Sequence, residues 1–92
     1  MALIIVKKSK TSSISRRMLE LAKDGDVVLL VQDGVFYAID EATKNIVKDG
    51  VKVFALKEDL NARGYSDDMS LFPCINYDGW VKLIEDNERI VS

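Results

Sequence analysis

An unbroken apolar run from Val27 to Val31, followed at once by Gln32, Asp33 and Gly34, constrains the fold of this chain more than any other feature. Strand residues point alternately to the two faces of a sheet, so a run that is apolar at every position indicates a strand covered on both faces. Such strands are typical of parallel sheets flanked by helices. Polar residues just past the carboxyl end of a parallel strand line a crevice, so these three are the first candidates for a functional site.

Apolar strand-like segments alternate with helical patterns along the whole chain of 92 residues. We predict strands over residues 1–6, 27–31, 51–56, 71–76 and 89–91, with helices in the intervening segments. This alternation of strands and helices predicts a single domain of the α/β class over residues 1–92. We expect a three-layer sandwich with a mostly parallel central sheet of about five strands. A chain of this size buries only about 60–65% of its unfolded surface, so forming a homo-oligomer would add to its stability.

Composition and cysteine use indicate a soluble protein of the cytoplasm. The chain is 48% hydrophobic and 30% charged, and the apolar segment at its start is too short for a membrane span or a signal-peptide core. Cys74 is the single cysteine, so no internal disulfide forms, which fits a reducing compartment.

Positive charge is concentrated at the start of the chain. Residues 1–19 hold five basic residues and no acid, whereas the rest of the chain holds 8 basic and 15 acidic residues. A cluster of this kind is typical of a solvated surface, and it also provides candidate contacts to nucleic-acid phosphates. These candidates are Lys7, Lys8, Lys10, Arg16 and Arg17.

The patterns of common catalytic sites are absent from the sequence. There is no histidine, and no glycine-rich phosphate loop occurs. A single thiol excludes zinc bound by a cysteine cluster, so we expect neither a metal nor a cofactor. The adjacent acids Asp67 and Asp68 are more typical of a solvated turn than of a cation site. Cys74 is a candidate nucleophile or persulfide carrier, but its place in an apolar segment favours a structural role.

Two aromatic segments add candidates for core and interface positions. Phe36 and Tyr37 are adjacent and cannot both face inward on one helix, so we expect one of them, Tyr37, to be exposed or at an interface. The pattern of Trp80, Val81, Leu83 and Ile84 predicts a helix that packs this stripe against the core.

Three segments resemble the DsrH/TusB family, and the resemblance spans essentially the whole chain. The fairly specific blocks are LLxQDGV, within VVLLVQDGV at residues 27–35, and (V/A)LxxDLxARG, within VFALKEDLNARG at residues 53–64. The third segment is INYDGWVKL at residues 75–83. The resemblance implies a small cytoplasmic α/β subunit that assembles with DsrE/TusD-like and DsrF/TusC-like proteins into a heterohexamer.

The same resemblance implies a sulfur relay, in which persulfide sulfur passes between cysteines toward tRNA wobble uridine 2-thiolation or through dissimilatory sulfur oxidation. Some DsrH members have a cysteine on the first helix, whereas TusB members typically lack it. Met18 occupies that position here, and a thioether cannot carry a persulfide. We therefore expect a non-catalytic subunit whose partner supplies the transfer cysteine.

The residues of the matching blocks are then candidates for shaping an interface. Asp33 and Gly34 fit a tight exit from the central strand, and Asp59 and Arg63 fit a short capped helix that stops at Gly64. Two alternatives stay open: a persulfide carrier that uses Cys74, and a tRNA-binding module that uses the basic residues near the start of the chain.

Overall fold

The computed structural model describes residues 2–9, 11–87 and 89–92, and within them five strands form one sheet. All four strand pairings are parallel, and the strand order is β4-β3-β2-β1-β5. The predicted fold is confirmed. The strands are β1 (Ala2–Val6), β2 (Val27–Leu30), β3 (Lys52–Leu56), β4 (Cys74–Ile75) and β5 (Arg89–Val91). Met1, which the sequence analysis included in the first strand, lies outside the described residues.

Helices connect each strand to the next. Two of them have the N-caps that their sequences favour, because Ser12 Oγ accepts a hydrogen bond from the backbone N–H of Ser15 and Asn76 Oδ1 accepts one from Gly79. The α-helices are α1 (Ser13–Leu21), α2 (Thr43–Ile46), α3 (Lys57–Ala62) and α4 (Tyr77–Asp86), and the 3₁₀ helices cover Gln32–Ile39 and Asp67–Met69.

The two faces of the sheet carry separate hydrophobic clusters. On one face, Val28 and Leu30 of β2 pack with α1 and with the 3₁₀ helix at Gln32–Ile39. On the other face, Leu29 and Val31 pack with Trp80 and Leu83 of α4. The central position of β2 therefore explains why every residue of its apolar run is needed: successive side chains enter opposite cores.

The fourth strand is much shorter than the predicted 71–76. The backbone N–H of Leu71 donates to the carbonyl of Ala38 at 2.7 Å, so the chain is tied to the 3₁₀ helix before it reaches the sheet. Pro73 has no N–H, and only its carbonyl joins the ladder by accepting from Ala55 at 3.0 Å. Strand pairing consequently begins at Cys74.

Some apolar residues of helices α1 and α4 are exposed. Leu21 of α1 is 62% exposed, and Val81 and Ile84 of α4 are 54% and 41% exposed. Each lies on the side of its helix rather than on the face toward the sheet, because α1 turns Leu19 inward and α4 turns Trp80 and Leu83 inward. The prediction that the stripe of α4 packs against the core is therefore wrong for Val81 and Ile84.

No helix among the described residues is long and apolar enough to cross a membrane.

Candidate functional site

The polar residues of the two matching sequence blocks meet at the carboxyl edge of the sheet. The backbone N–H of Val31 donates to the carbonyl of Val6 at 3.0 Å, so the segments that follow β1 and β2 leave the sheet side by side. Helix α3 follows β3 directly and packs against the 3₁₀ helix that follows β2. Three neighbouring strand ends thus position the candidate residues, as expected for a parallel sheet.

Gln32 has an uncommon backbone conformation. Its φ is +50°, in the left-handed region that non-glycine residues rarely adopt. The carboxylate of Asp59 stabilises this conformation, because Oδ2 accepts a hydrogen bond from the Gln32 backbone N–H at 2.6 Å. The bond joins the two sequence blocks across 27 residues and leaves Gln32 exposed at the end of the central strand.

Asp33 and Arg63 form a second link between the same blocks. The guanidinium Nη2 and Nε of Arg63 both lie 3.0 Å from Asp33 Oδ1. Nη1 of Arg63 also donates to the backbone carbonyl of Asp59 at 3.1 Å, which fixes the side chain over its own helix. No side-chain cap bond forms at this 3₁₀ helix, and Asp33 pairs with Arg63 instead.

Gly34 is buried where the chain turns into the 3₁₀ helix. A Cβ atom added here would collide with the carbonyl oxygen of Val6. The backbone N–H of Gly34 donates to the carbonyl of Val31 at 2.8 Å, which closes the turn. The tight strand exit predicted for this position is present, and it rests on a close approach between backbones.

The prediction that Tyr37 is exposed or at an interface was wrong, since Tyr37 is only 1% exposed and packs in the core. A 3₁₀ helix has three residues per turn, so Gly34 lies under Tyr37 and Val35 under Ala38, and all four are buried. Phe36 points away from this face, is half-buried, and makes an edge-on contact with the ring of Tyr65 at 6.1 Å.

Helix α3 ends as its sequence predicts. Gly64 has a φ of +86°, and its N–H donates to the carbonyl of Asn61 while the N–H of Tyr65 donates to that of Leu60. These two bonds form a Schellman motif, for which glycine is the favoured residue. The end of α3 is thereby fixed next to Arg63, which positions the guanidinium for Asp33.

The predicted basic cluster is divided in the structure. Lys7 and Lys8 are exposed at the carboxyl end of β1. Arg16 Nε lies 3.0 Å from Glu20 Oε1 on α1, whereas Arg17 lies beside Ile14 on another side of that helix. Lys10 lies outside the described residues.

Cys74 is half-buried on the edge strand β4, and its side chain packs on the cluster that contains Ala55 and Tyr37. Its Sγ donates to the carbonyl oxygen of Phe72 at 3.9 Å. The thiol is therefore not a member of the network formed by Gln32, Asp33, Asp59 and Arg63.

The acidic turn at Asp67 and Asp68 is held by its neighbours. Asp67 Oδ2 lies 3.6 Å from Lys57 Nζ, and Asp67 Oδ1 accepts from Asn61 Nδ2 at 3.1 Å. Within residues 2–9, 11–87 and 89–92, no group of three or more acidic or cysteine side chains is placed to hold a metal ion.

Two other polar side chains, which the sequence did not indicate, organise the fold. Asp26, at the opposite edge of the sheet, accepts hydrogen bonds from the backbone N–H groups of Lys23 at 2.9 Å and Ala2 at 3.0 Å. The bond from Lys23 is the largest cause of a lowered pKa for this carboxyl, and partial burial opposes it. Glu58 Oε2 accepts from the backbone N–H of Tyr77 at 3.2 Å and thus ties α3 to the start of α4. Ala2 lies 24 residues from Asp26 and Tyr77 lies 19 residues from Glu58, so these two contacts gave no local signal.

A parallel three-layer α/β domain with a polar network at the carboxyl edge defines the class of this protein, and comparison with known proteins defines its family. A sequence model described as DsrH like protein matches residues 8–90. The chain belongs to the DsrH family.

Curated relatives include Protein TusB from Enterobacter sp. (strain 638), which is 39% identical over 69 residues, covering 72% of this chain and 73% of that protein. Protein TusB from Escherichia coli O139:H28 is 40% identical over 70 residues, with the same coverage of 72% and 73%.

Solved structures agree with this assignment. The solution structure of protein Tm0979 from Thermotoga maritima matches with a TM-score of 0.77 and 36% identity, covering 96% of this chain and 95% of that one. A second NMR structure of Tm0979, described as a candidate sulfur transferase, matches with a TM-score of 0.67 and 35% identity over the full length of both chains.

Proposed function

We propose that this protein is a non-catalytic subunit of a sulfur-relay complex and that a partner chain supplies the cysteine that carries the sulfur. The family assignment and the relatives named TusB support a role in sulfur transfer. The observation that carries the non-catalytic part is the position of the one thiol. Cys74 lies half-buried on the edge strand β4, apart from the network formed by Gln32, Asp33, Asp59 and Arg63. Met18 lies on α1 at the position where some DsrH members have cysteine.

Persulfide transfer needs an accessible thiolate at each step. The acceptor thiolate attacks the outer sulfur of the donor persulfide, a new S–S bond forms as the old one breaks, and the donor leaves as a thiolate. Met18 has no ionisable sulfur, and Cys74 Sγ is packed against the core next to the carbonyl of Phe72. The network around Gln32 and Asp33 instead gives a rigid, polar surface suited to contact with another chain.

Replacement of Cys74 tests the non-catalytic role directly. The complex, reconstituted with its partner chains and a persulfide donor carrying radioactive sulfur, should pass label to its acceptor at the same rate with wild-type chain and with Cys74→Ser. Loss of transfer with Cys74→Ser, together with label on Cys74 in the wild-type chain, would establish the persulfide-carrier alternative. Iodoacetamide provides a second measurement, because native Cys74 should react far more slowly than Cys74 in denatured protein.

The partners that we propose are DsrE/TusD-like and DsrF/TusC-like chains, in the cytoplasm. An affinity-tagged copy expressed in its native host should co-purify with both, as identified by mass spectrometry of the eluted chains. Reproducible recovery of this chain without either partner would contradict the complex.

The final acceptor that we propose is the wobble uridine of tRNA, which the relatives named TusB support. A strain that lacks this chain should have less 2-thiouridine in its tRNA, and the wild-type chain or Cys74→Ser should restore it. Unchanged thiolation in the deletion strain would favour an acceptor in sulfur oxidation.

Lys7 and Lys8 are exposed and directly follow Val6, whose carbonyl accepts from the Val31 N–H, and this position favours a second role, contact with tRNA phosphates. Binding of this kind releases counterions, so affinity for tRNA should fall steeply with salt and should fall further in Lys7→Ala and Lys8→Ala. Binding that is absent or insensitive to salt would discard this role.

A further inference from the structure

Four of the five glycines in this chain directly follow an aspartate, at residues 24–25, 33–34, 49–50 and 78–79. In an Asp-Gly pair the backbone nitrogen of glycine can attack the aspartate side chain, because glycine has no Cβ to hinder the approach. The reaction needs a glycine N–H that is free of hydrogen bonds and a segment loose enough to turn that nitrogen toward the carboxyl. The four pairs differ in both respects.

Two of the pairs lie at the beginning of a helix, and their glycine nitrogens are engaged. The N–H of Gly34 donates to the carbonyl of Val31 at 2.8 Å, and Gly34 is buried. The N–H of Gly79 donates to Asn76 Oδ1 at 2.9 Å in the first turn of α4. Neither nitrogen can reach the preceding carboxyl unless its turn is broken.

The other two pairs lie in two turns of identical sequence, Lys-Asp-Gly, at the amino edge of the sheet. Residues 23–25 precede β2, and residues 48–50 precede β3. The glycine has a positive φ in both turns, +91° at Gly25 and +86° at Gly50. Both turns are closed by a backbone hydrogen bond to the lysine carbonyl from the residue after glycine. They are therefore matched in sequence and in glycine conformation.

The turn before β2 is firmly held. The backbone N–H of Asp26 donates to the carbonyl of Lys23 at 2.8 Å. The carboxylate of Asp26 also accepts from the backbone N–H groups of Lys23 and Ala2. The N–H of Gly25 donates to the carbonyl of Gly50 at 3.0 Å, so this nitrogen is engaged as well.

The turn before β3 is held less firmly. Its closing bond, from the N–H of Val51 to the carbonyl of Lys48, is long at 3.4 Å. Lys48, Asp49 and Gly50 are all exposed. Among the residues that the structure describes, the N–H of Gly50 donates no hydrogen bond. This pair alone of the four combines a free glycine nitrogen with a loosely closed, exposed turn.

We propose that Asp49 is a self-modification site, at which the chain converts to isoaspartate while the other three Asp-Gly pairs stay intact. In isoaspartate the next residue is joined through the side-chain carbonyl, so the main chain gains one carbon. The change falls in the turn whose Gly50 carbonyl accepts from Gly25, and it disturbs the link between the two turns. This proposal goes beyond the sulfur relay and does not depend on it.

The conversion needs no reagent other than water. The nitrogen of Gly50 attacks Cγ of the Asp49 carboxyl, a C–N bond forms, the C–OH bond breaks, and the hydroxyl leaves with the amide proton as water. The product is a five-membered succinimide ring. Water then adds to the ring carbonyl derived from the backbone and breaks its bond to nitrogen. Gly50 is left joined through the Asp49 side chain, and the backbone carboxyl is free.

Incubation of the folded chain in water enriched in heavy oxygen marks the reacting residue, because opening of the ring adds one oxygen atom from solvent. Mass spectrometry of peptides, with electron-transfer fragmentation, locates the label and distinguishes isoaspartate. We expect Asp49 to take up label at least about fivefold faster than Asp24, because the nitrogen of Gly25 must first lose its hydrogen bond. In urea-unfolded protein all four aspartates should take up label at comparable rates.

Two matched variants test the site by a second measurement. Asp49→Glu keeps the charge but would need a six-membered ring, which closes far more slowly, and Asp24→Glu makes the same change in the other turn. An isoaspartate-specific methyltransferase, supplied with S-adenosylmethionine labelled in its methyl group, measures the product. After incubation, wild type and Asp24→Glu should accept methyl groups equally, and Asp49→Glu should lose most of this acceptance. Circular dichroism establishes that both variants are folded.

Three results would overturn the proposal. Equal uptake at Asp49 and Asp24 in the folded chain would show that the hydrogen bond of Gly25 gives no protection. A folded chain without label at Asp49, after a time in which the unfolded chain is labelled there, would show that the turn before β3 is closed to the reaction. Unchanged methyl acceptance in Asp49→Glu would place the isoaspartate at another residue.

Discussion

The carboxylate of Asp59 lies 2.6 Å from the backbone nitrogen of Gln32 and holds that residue in the left-handed conformation at the end of the central strand. The two residues belong to different sequence blocks of the family, QDG and DLxARG. Their contact explains why the blocks occur together, because one provides an unusual backbone turn and the other provides its acceptor.

Removal of this acceptor should destabilise the protein. Asp59→Ala leaves the Gln32 N–H to water at a partly exposed site, so we expect the free energy of unfolding to fall by about 1–2 kcal/mol. Asp59→Asn is the matched control, because its side-chain oxygen still accepts the bond and the loss should be smaller. Urea denaturation, monitored by Trp80 fluorescence, measures the free energy of unfolding of both variants. Equal stability of Asp59→Ala and the wild type would contradict the role given to this bond.

Gly34 should tolerate no side chain. A Cβ at this position meets the Val6 carbonyl oxygen, which is fixed in the sheet, so Gly34→Ala should cost about 2–3 kcal/mol or prevent folding. Gly64→Ala provides the comparison, since its Cβ would meet nothing within 4 Å and only the backbone strain at φ +86° remains, about 1 kcal/mol. Thermal and urea unfolding rank the two variants, and the reverse order would refute the close approach.

Neighbouring leucines on α1 should differ sharply in their contribution to stability. Leu19 is fully buried, so Leu19→Ala should lower the free energy of unfolding by about 2–5 kcal/mol. Leu21 is 62% exposed, and Leu21→Ala should change it by less than about 0.5 kcal/mol in dilute protein. Similar losses in both variants would mean that α1 is rotated relative to the sheet.

Asp26 should contribute stability that is lost in acid. Its pKa in the folded protein is lowered from the ordinary 3.8, chiefly by the hydrogen bond from Lys23 N–H. The contribution is therefore fully present above the unfolded pKa and disappears as pH falls through the lower, folded pKa. Asp26→Asn cannot ionise, so its stability relative to the wild type should improve as the pH is lowered below about 4.

Urea denaturation between about pH 5 and pH 2 measures this dependence. Asp24→Asn is the control, because Asp24 is an exposed neighbour outside the hydrogen bonds that join Asp26 to Ala2 and Lys23. A difference between Asp26→Asn and the wild type that does not change with pH would show that the carboxylate gains nothing from these bonds.

Much of the candidate site could be located from the sequence, but not how its members interact. The position of Gln32 and Asp33 after a buried strand was enough to place them at the carboxyl edge of a parallel sheet. That Asp33 pairs with Arg63, and Gln32 with Asp59, needed the packing of α3 against the 3₁₀ helix. Contacts between residues about 30 positions apart leave no periodic signal in one chain.

The sequence by itself determined the class of fold, because the apolar run at 27–31 is stable only as a strand covered on both faces, and its repetition along the chain demands a parallel sheet between helices. Only the tertiary structure decided which apolar residues face water. The burial of Tyr37 depends on the pitch of a 3₁₀ helix, and the exposure of Leu21 and Val81 depends on how far α1 and α4 are rotated against the sheet. Such rotations are set by the packing of side chains from distant strands, which hydrophobicity along one helix does not encode.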